Sequence, residues 1–349
     1  MIRNPRQTTS QLTTNNPQPT DPKMTHRKLN NHNVSEIGLG CWQLGGSDWG
    51  DVSDEQAFAI LRAAVEGGTD LFDTADVYGL GRSETLIGQF LRDSKARIFV
   101  ATKLGRFPQP GSPGNLSLAT FRAHTEASLK RLGVEALDLT QTHCIPTAAM
   151  RSGECFEWLR TLKKEGKIKA FGASVESMEE ALICLEQEGL ASLQIIFNIF
   201  RQKPIDTLFA QAQAKGIALI VRLPIASGLL SGKMTRQSSF AQNDHRNYNR
   251  DGQAFNVGET FAGLGFEKGI ELADALKPLV PPGMTMAQMA LRWCLDFPAV
   301  TTVIPGASRP QQAIDNAAAS KMPPLSKELH EKLAKFYRER VEAHIRGPY

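Results

Sequence analysis

From Arg27 onward the chain alternates short apolar, β-rich runs with amphipathic stretches of helical length, and the number of those runs most restricts the fold. The runs are Gly38 to Gln43, Leu71 to Thr74, Ile98 to Lys103, Leu137 to His143, Lys169 to Ala173, Leu193 to Phe197, Ile217 to Leu223 and Val300 to Ile304. Eight is the number of parallel strands that closes a (β/α)8 TIM barrel. A chain of 349 residues has room for one such barrel, and residues 25–349 are expected to form a single domain.

The intervening stretches have helical period. Ala57, Ile60, Leu61, Ala64 and Val65 follow it behind a Ser53/Asp54 cap, and Ala287 to Leu295 repeats it. Leu29 to Ile37 carries an Asn-rich turn and is expected to form a hairpin on the barrel floor, and Leu325 to Ile345 a final helix outside the ring. Gln237 to Gly263 is polar and aperiodic, which predicts a long loop above the seventh strand. Residues 1–24 are dominated by Asn, Gln, Thr and Pro, with Ile2 and Leu12 as their aliphatic side chains, so a disordered tail is expected, and Met24 is an alternative start.

The net charge of +4 comes from basic residues scattered along the chain, which argues against nucleic acid as a partner. No eighteen-residue apolar run exists to cross a membrane as a helix. The five cysteines contain no CxxC pair and leave one over, as in a reducing compartment, so a cytoplasmic location is expected. The histidines do not fall at ligand spacings, so no metal is expected.

Barrel enzymes carry their reacting groups at the carboxyl ends of the strands. The second run ends in Phe72-Asp73-Thr74-Ala75-Asp76-Val77-Tyr78-Gly79, the third in Ala101-Thr102-Lys103 and the fourth in Gln141-Thr142-His143. A phenol has a pKa of about 10. Lys103 is expected to lower that of Tyr78 by about two units, which requires roughly 3 kcal/mol of differential interaction. Asp73 would hold the lysine charged, and a neutral His143 could hydrogen-bond a carbonyl oxygen. Singly, such residues are usually a helix cap, a solvated charge, an interface aromatic and a core histidine. Their joint occurrence at consecutive strand ends favours a site.

The run Asp73 to Gly79, followed by Gly81, Ser83, Glu84 and Gly88, resembles the aldo-keto reductase family, and the likeness extends from about Arg27 to Ala319. The resemblance implies an oxidoreductase that reduces a small-molecule aldehyde or ketone with NADPH, with Asp73, Tyr78, Lys103 and His143 as catalytic tetrad, Tyr78 as proton donor and Trp42 at the substrate mouth. It also implies that Ser174 and Gln194 bind the nicotinamide carboxamide. The stretch Pro224 to Lys233, with Ile225, Ser227 and Gly228, would lie along the pyrophosphate. Gly306, Ser308, Arg309, Gln312 and Asn316 would clamp the adenosine 2′-phosphate and adenine, a task for which a helix N-terminus and an arginine fork are suited. Gly38-Leu39-Gly40 does not complete a Rossmann fingerprint.

Three positions depart from the family pattern: Val175 where Asn is common, Phe197 where Tyr is common, and Arg222 where an aromatic ring usually stacks on nicotinamide. A free Arg222 charge would disfavour the oxidised, cationic ring, unless the side chain folds away to a carboxylate. Two other readings remain compatible with the sequence. One is an NADPH-binding regulatory or sensor subunit with little turnover, and the other a barrel isomerase or lyase that holds a substrate phosphate at Ile304 to Arg309.

Overall fold

The computed structural model describes residues 23–46, 48–108 and 113–349. Most of the expected tail, residues 1–22, lies outside the described residues, while Met24 is already buried in the core. Strands β1 (His26–Leu29) and β2 (His32–Ser35) pair as an antiparallel hairpin. Eight parallel strands follow: β3 (Leu39–Gly40), β4 (Leu71–Asp73), β5 (Phe99–Leu104), β6 (Leu139–His143), β7 (Phe171–Ser174), β8 (Ser192–Ile196), β9 (Ala218–Arg222) and β10 (Val300–Val303). They pair in chain order, and the last meets the first. The Gly38 N–H donates to the Val303 carbonyl (2.9 Å), and the Gly40 N–H to that of Pro305 (3.0 Å). The sheet is a (β/α)8 barrel.

Side chains alternate across a strand, and this period of two positions the site. Leu71, Phe99, Ala101 and Leu139 fill the barrel interior with Leu29, Val34, Ile220 and Ile304. Two residues further along the same faces come Asp73 and Lys103, and four beyond Leu139 comes His143, all at the upper rim and all at most 5% exposed. The opposite faces, including Phe72, pack with Ile60, Leu61, Phe90, Phe121 and Leu159 in the layer between sheet and helices. Each large aliphatic side chain buried there stabilises the fold by about 1.5–3 kcal/mol.

The expected cap is formed, Ser53 accepting from the Gln56 N–H at the head of the helix Asp54–Glu66. The helix Met286–Leu295 adds one that was not expected, a reciprocal capping box of Thr285 with Gln288. The hairpin begins upstream of the expected Leu29, because the turn falls at Asn30, which has φ +51, and so recruits His26–Leu29 as the first strand. Its Arg27 ties the barrel floor together, donating to the Leu295 (2.6 Å) and Val300 (2.7 Å) carbonyls and pairing with Glu36 (2.7 Å). The first barrel strand shrinks to two residues because Trp42–Gly45 turns into a 3-10 helix. The C-terminal segment is an α-helix over Lys327–Phe336, then widens through Tyr337–Val341 and tightens over Glu342–His344. The long loop above β9 contains one helical turn, His245–Tyr248, and two 3-10 turns, Val257–Glu259 and Phe261–Gly263.

Candidate active site

The segment that carries Tyr78 is held from both sides. Thr74 Oγ1 donates to Ser83 Oγ (2.8 Å), which donates to the Cys41 carbonyl (2.9 Å), so the loop after β4 is tied to the end of β3. Glu84 is fully buried and accepts from Thr102 (2.5 Å), Ser128 (3.1 Å) and Arg131 (2.7 Å), which pins the helix Arg82–Ser94 against β5. Gly79 adopts φ +59 and packs so closely on Gly45 that a Cβ there would lie 2.2 Å from its carbonyl oxygen. These contacts give a physical reason for the Gly, Ser and Glu spacing around the tyrosine.

Lys103 Nζ donates to Asp73 Oδ1 (2.5 Å), to the Thr74 carbonyl (2.8 Å) and to the Tyr78 hydroxyl (3.3 Å). Asp73 accepts a second bond from Gln194 Nε2 (2.6 Å), and Gln194 Oε1 in turn accepts from Ser174 (3.4 Å). The Tyr78 and His143 rings meet edge to face at 5.7 Å, and Trp42 stacks over Tyr78 at 5.8 Å. A continuous buried chain therefore runs from Ser174 to the phenol.

Burial disfavours the Lys103 ammonium, but Asp73 and Tyr78 more than compensate and raise its pKa. Burial lifts the Asp73 carboxyl while Lys103 and Gln194 pull it down, and the outcome is a raised value. Burial, together with the charges of Arg106, Lys103 and Arg222, pushes His143 well below the usual histidine range, so its ring is neutral. The expected lowering of Tyr78 does not occur. Burial pushes it up to about 12, Lys103 works downward, and Asp73 and Glu259 work upward with the burial. Desolvation of the phenolate outweighs one ammonium, and Tyr78 stands as a neutral phenol, a proton donor rather than a phenolate.

These residues open into one cavity of about 420 Å³, which extends from Trp42, Tyr78 and His143 past Arg222 and Ile225 to Arg309 and Asn316. Of the four residues Asp73, Tyr78, Lys103 and His143, Lys103 alone does not line it, since it sits behind Asp73 and Tyr78.

The sequence model of the aldo/keto reductase family matches residues 36–338. The chain belongs to this family. It is 31% identical to the uncharacterized oxidoreductase YqkF of Bacillus subtilis, over 87% of this chain and 94% of the relative. It is 29% identical to the NADH-specific methylglyoxal reductase of Escherichia coli, over 82% and 90% of the two chains. The solved structure of the glycerol dehydrogenase AKR11B4 from Gluconobacter oxydans superposes with a TM-score of 0.73 at 28% identity, covering 93% of this chain and 98% of that one.

At the wall of the cavity this aldo/keto reductase carries a charged cluster that the sequence did not reveal. Arg222 Nη1 lies 3.5 Å from Glu259, and its Nη2 donates to the Val175 carbonyl (3.1 Å). Arg106 lies 3.6 Å from Glu259 and 3.5 Å from Glu176. Burial lifts the Glu176 carboxyl to about 7, with Glu259 adding to the rise and Arg106 opposing it. Burial likewise disfavours the charged Glu259, but Arg222 and Arg106 outweigh it and hold the carboxyl below its ordinary range. Cys144, Glu176 and Glu259 bring possible ligand atoms within 4.8 Å of one another, but the two guanidiniums already satisfy the carboxylates, which disfavours a cation. Cys144 is also a poor thiolate, with burial lifting it to about 12.

The far end of the cavity differs. Arg309 is exposed at the N-terminus of the helix Pro310–Ala318, and Lys233 is exposed across the groove; neither has an ion-pair partner among the described residues. Gln312 holds the turn, accepting from the Ser308 N–H (2.8 Å) and hydroxyl (3.0 Å), and Asn316 donates to the Gly306 carbonyl (3.3 Å). The side chain of Ser227 is spent on the Glu259 carbonyl (3.1 Å) and the Phe261 N–H (3.1 Å), which shapes the loop from Pro224 to Lys233. Of the departures from the family pattern, Phe197 lies away from the cavity, buried between Trp293 and Phe209.

Proposed function

We propose that this oxidoreductase reduces a small aldehyde or ketone with NADPH, with Tyr78 as the general acid. The supporting observation is that one cavity joins a neutral phenol, held by a buried Lys103/Asp73 pair, to two exposed cations, Arg309 and Lys233, that have no ion-pair partner among the described residues.

The fit to the cofactor rests on the chemistry of the donors. Arg309 and Lys233 suit the adenosine 2′-phosphate and pyrophosphate, the turn from Gly306 to Ser308 and the side chain of Asn316 suit the adenosine, and Ser174 with Gln194 suits a carboxamide. When bound there, NADPH supplies the hydride that reaches the carbonyl carbon. Tyr78 donates its phenolic proton to the alkoxide oxygen that forms, and the Lys103 ammonium stabilises the phenolate left behind. Neutral His143 orients the carbonyl oxygen, and Trp42 excludes water from the substrate side. Ser174 donates to Gln194 and Gln194 to Asp73, so the same chain that orients the carboxamide also orients the pair behind Tyr78.

The test is NADPH absorbance followed against a panel of aldehydes and ketones, for the wild type and for Tyr78→Phe. Loss of a general acid is expected to lower kcat by about 10²–10⁴-fold, with NADPH affinity retained. Because Tyr78 holds its proton up to about 12, its deprotonation should not limit wild-type reduction on the alkaline side of neutrality. Wild-type rates in the variant would remove Tyr78 from the mechanism. Tight NADPH binding without turnover on any carbonyl would favour the sensor reading, and absence of nicotinamide binding the isomerase or lyase reading.

A further inference from the structure

The carboxylate of Asp48 lies between two segments that are far apart in the sequence, at Trp42 and Tyr248, and each of its oxygens is taken by a residue of the substrate wall. Oδ2 accepts from the Trp42 indole N–H (2.9 Å). Oδ1 accepts from the Tyr248 hydroxyl (2.6 Å). The main-chain carbonyl accepts from the His245 N–H (2.9 Å) and lies 3.0 Å from His245 Nδ1. No cation pairs with Asp48 among the described residues, so its charge is met by these neutral donors through charge-assisted bonds, the stronger kind.

The groups that Asp48 gathers form one aromatic wall. Trp42 contacts Trp49 edge-on at 5.6 Å, His245 at 4.8 Å and Phe255 at 6.1 Å, while stacking on Tyr78 at 5.8 Å. The base of the long loop is anchored separately, through Ser227 to Glu259 and Phe261. Its middle reaches the first loop through Asp48, through Arg246 over the Trp49 ring (4.8 Å) and through the exposed Asn243 to Asp51 bond (3.3 Å). The half-buried charge-assisted pair of Tyr248 with Asp48 is the strongest of these ties, since an exposed neutral hydrogen bond and a partly solvated cation–π contact contribute less.

We propose that Asp48 is a positioning and specificity-determining residue: by fixing Trp42 against the His245–Tyr248 turn it closes the aromatic wall over Tyr78 and restricts the site to compact carbonyl substrates. The substrate part rests on the reductase reading above; the positioning of the wall does not. Freed from Asp48, Trp42 and the middle of the loop would move apart, admitting longer chains and losing the stacking that confines a short one.

The experiment compares wild type with Asp48→Ala, Tyr248→Phe and, as a conservative rescue, Asp48→Asn, whose amide oxygen still accepts one bond. In cofactor-free protein, Asp48→Ala should shift tryptophan emission to the red. Proteolytic nicking within residues 237–263 should become about tenfold faster, the factor expected when about one strong hydrogen bond no longer holds the segment closed. Tyr248→Phe should show the same with smaller amplitude, and Asp48→Asn should lie nearer wild type. With NADPH present, KM for propanal should rise about tenfold in Asp48→Ala with kcat little changed, and the octanal-to-propanal ratio of kcat/KM should rise as well. Wild-type emission and nicking in Asp48→Ala would overturn the positioning role, and an unchanged octanal-to-propanal ratio the specificity role. A wild type that turns over neither aldehyde would count against compact aldehydes as substrates and against the reductase reading, while the emission and nicking measurements would still decide whether Asp48 holds the wall.

Discussion

The two ends of the cavity handle charge in opposite ways. At the reacting end the ionised groups are buried and matched within the chain, with Lys103 on Asp73 at 2.5 Å and Arg222 and Arg106 on Glu259 at 3.5 and 3.6 Å. At the groove end Arg309 and Lys233 stand exposed, without ion-pair partners among the described residues. A desolvated charge must be paired when the chain folds, because nothing else offsets its lost hydration, whereas a solvated charge can wait for a ligand. Removing a charge from the first end should therefore damage the folded protein itself, and removing one from the second should damage only the complex.

The largest effect is expected at Lys103. Lys103→Met leaves Asp73 buried beside a thioether, and breaking a buried pair by removing one partner costs about 3–5 kcal/mol. The loss should appear as a lower denaturant midpoint together with loss of turnover. Its pH dependence has a definite sign. Without the ammonium, only the Gln194 hydrogen bond and the Arg222 charge still oppose burial, and the folded-state pKa of Asp73 rises further above the unfolded value, so the folded form gains protons that the unfolded form does not bind. The variant should therefore recover part of its deficit as the pH is lowered from 7 towards 5. A denaturant midpoint equal to wild type at pH 7 would show that the reacting end is not charge-matched in the way its geometry implies.

How much of this was legible beforehand depends on where each partner lies in the sequence. The strands were readable because apolar runs of fixed length recur between helical stretches, and Asp73, Lys103 and His143 because a period of two puts strand ends on the inner face. Tyr78 was readable from the run of residues around it, whose Ser83 and Glu84 turn out to anchor the loop. Asp48, Arg106, Glu176 and Glu259 were not. Each lies in a polar connecting segment, where a charge normally reads as solvated, and each meets partners 70 or more residues away, as in the Arg106–Glu176 and Tyr248–Asp48 contacts. The direction of the Tyr78 shift was misjudged for a related reason: the attraction of Lys103 could be inferred from chain order, but the depth of burial that outweighs it could not.

A smaller and more selective effect is expected at the groove. Arg309→Ala removes an exposed side chain with no ion-pair partner among the described residues, so the denaturant midpoint should stay close to that of the wild type. NADPH binding should weaken by about 1.5–3 kcal/mol if one charge-assisted contact to the 2′-phosphate is lost, with NADH binding little affected. Titration of both coenzymes by fluorescence separates the cases. Equal losses for the two would mean that Arg309 does not read the 2′-phosphate, and a large drop in stability would erase the contrast between the two ends.

The smallest effect is expected at Arg222, although it lines the cavity with Ser174 and Gln194, the residues proposed to bind the carboxamide. A bare guanidinium about 4 Å from an oxidised nicotinamide would oppose the cationic ring by up to about 4 kcal/mol at an effective dielectric near 20. Glu259 sits 3.5 Å from that guanidinium, however, so much of its field is cancelled before it reaches the ring. Arg222→Tyr should accordingly change the ratio of NADP⁺ to NADPH dissociation constants by no more than about threefold, less than the tenfold that 1.4 kcal/mol represents. Glu259→Gln should do more than Arg222→Tyr, because it removes the carboxylate that Arg222 and Arg106 share, leaves Glu176 facing Arg106, and should weaken NADP⁺ relative to NADPH by about tenfold. Titrating the three proteins with both cofactor forms gives the order directly. If Arg222→Tyr moves the ratio tenfold while Glu259→Gln leaves it alone, the arginine acts as a free charge, and the matched reacting end is a property of Lys103 and Asp73 only.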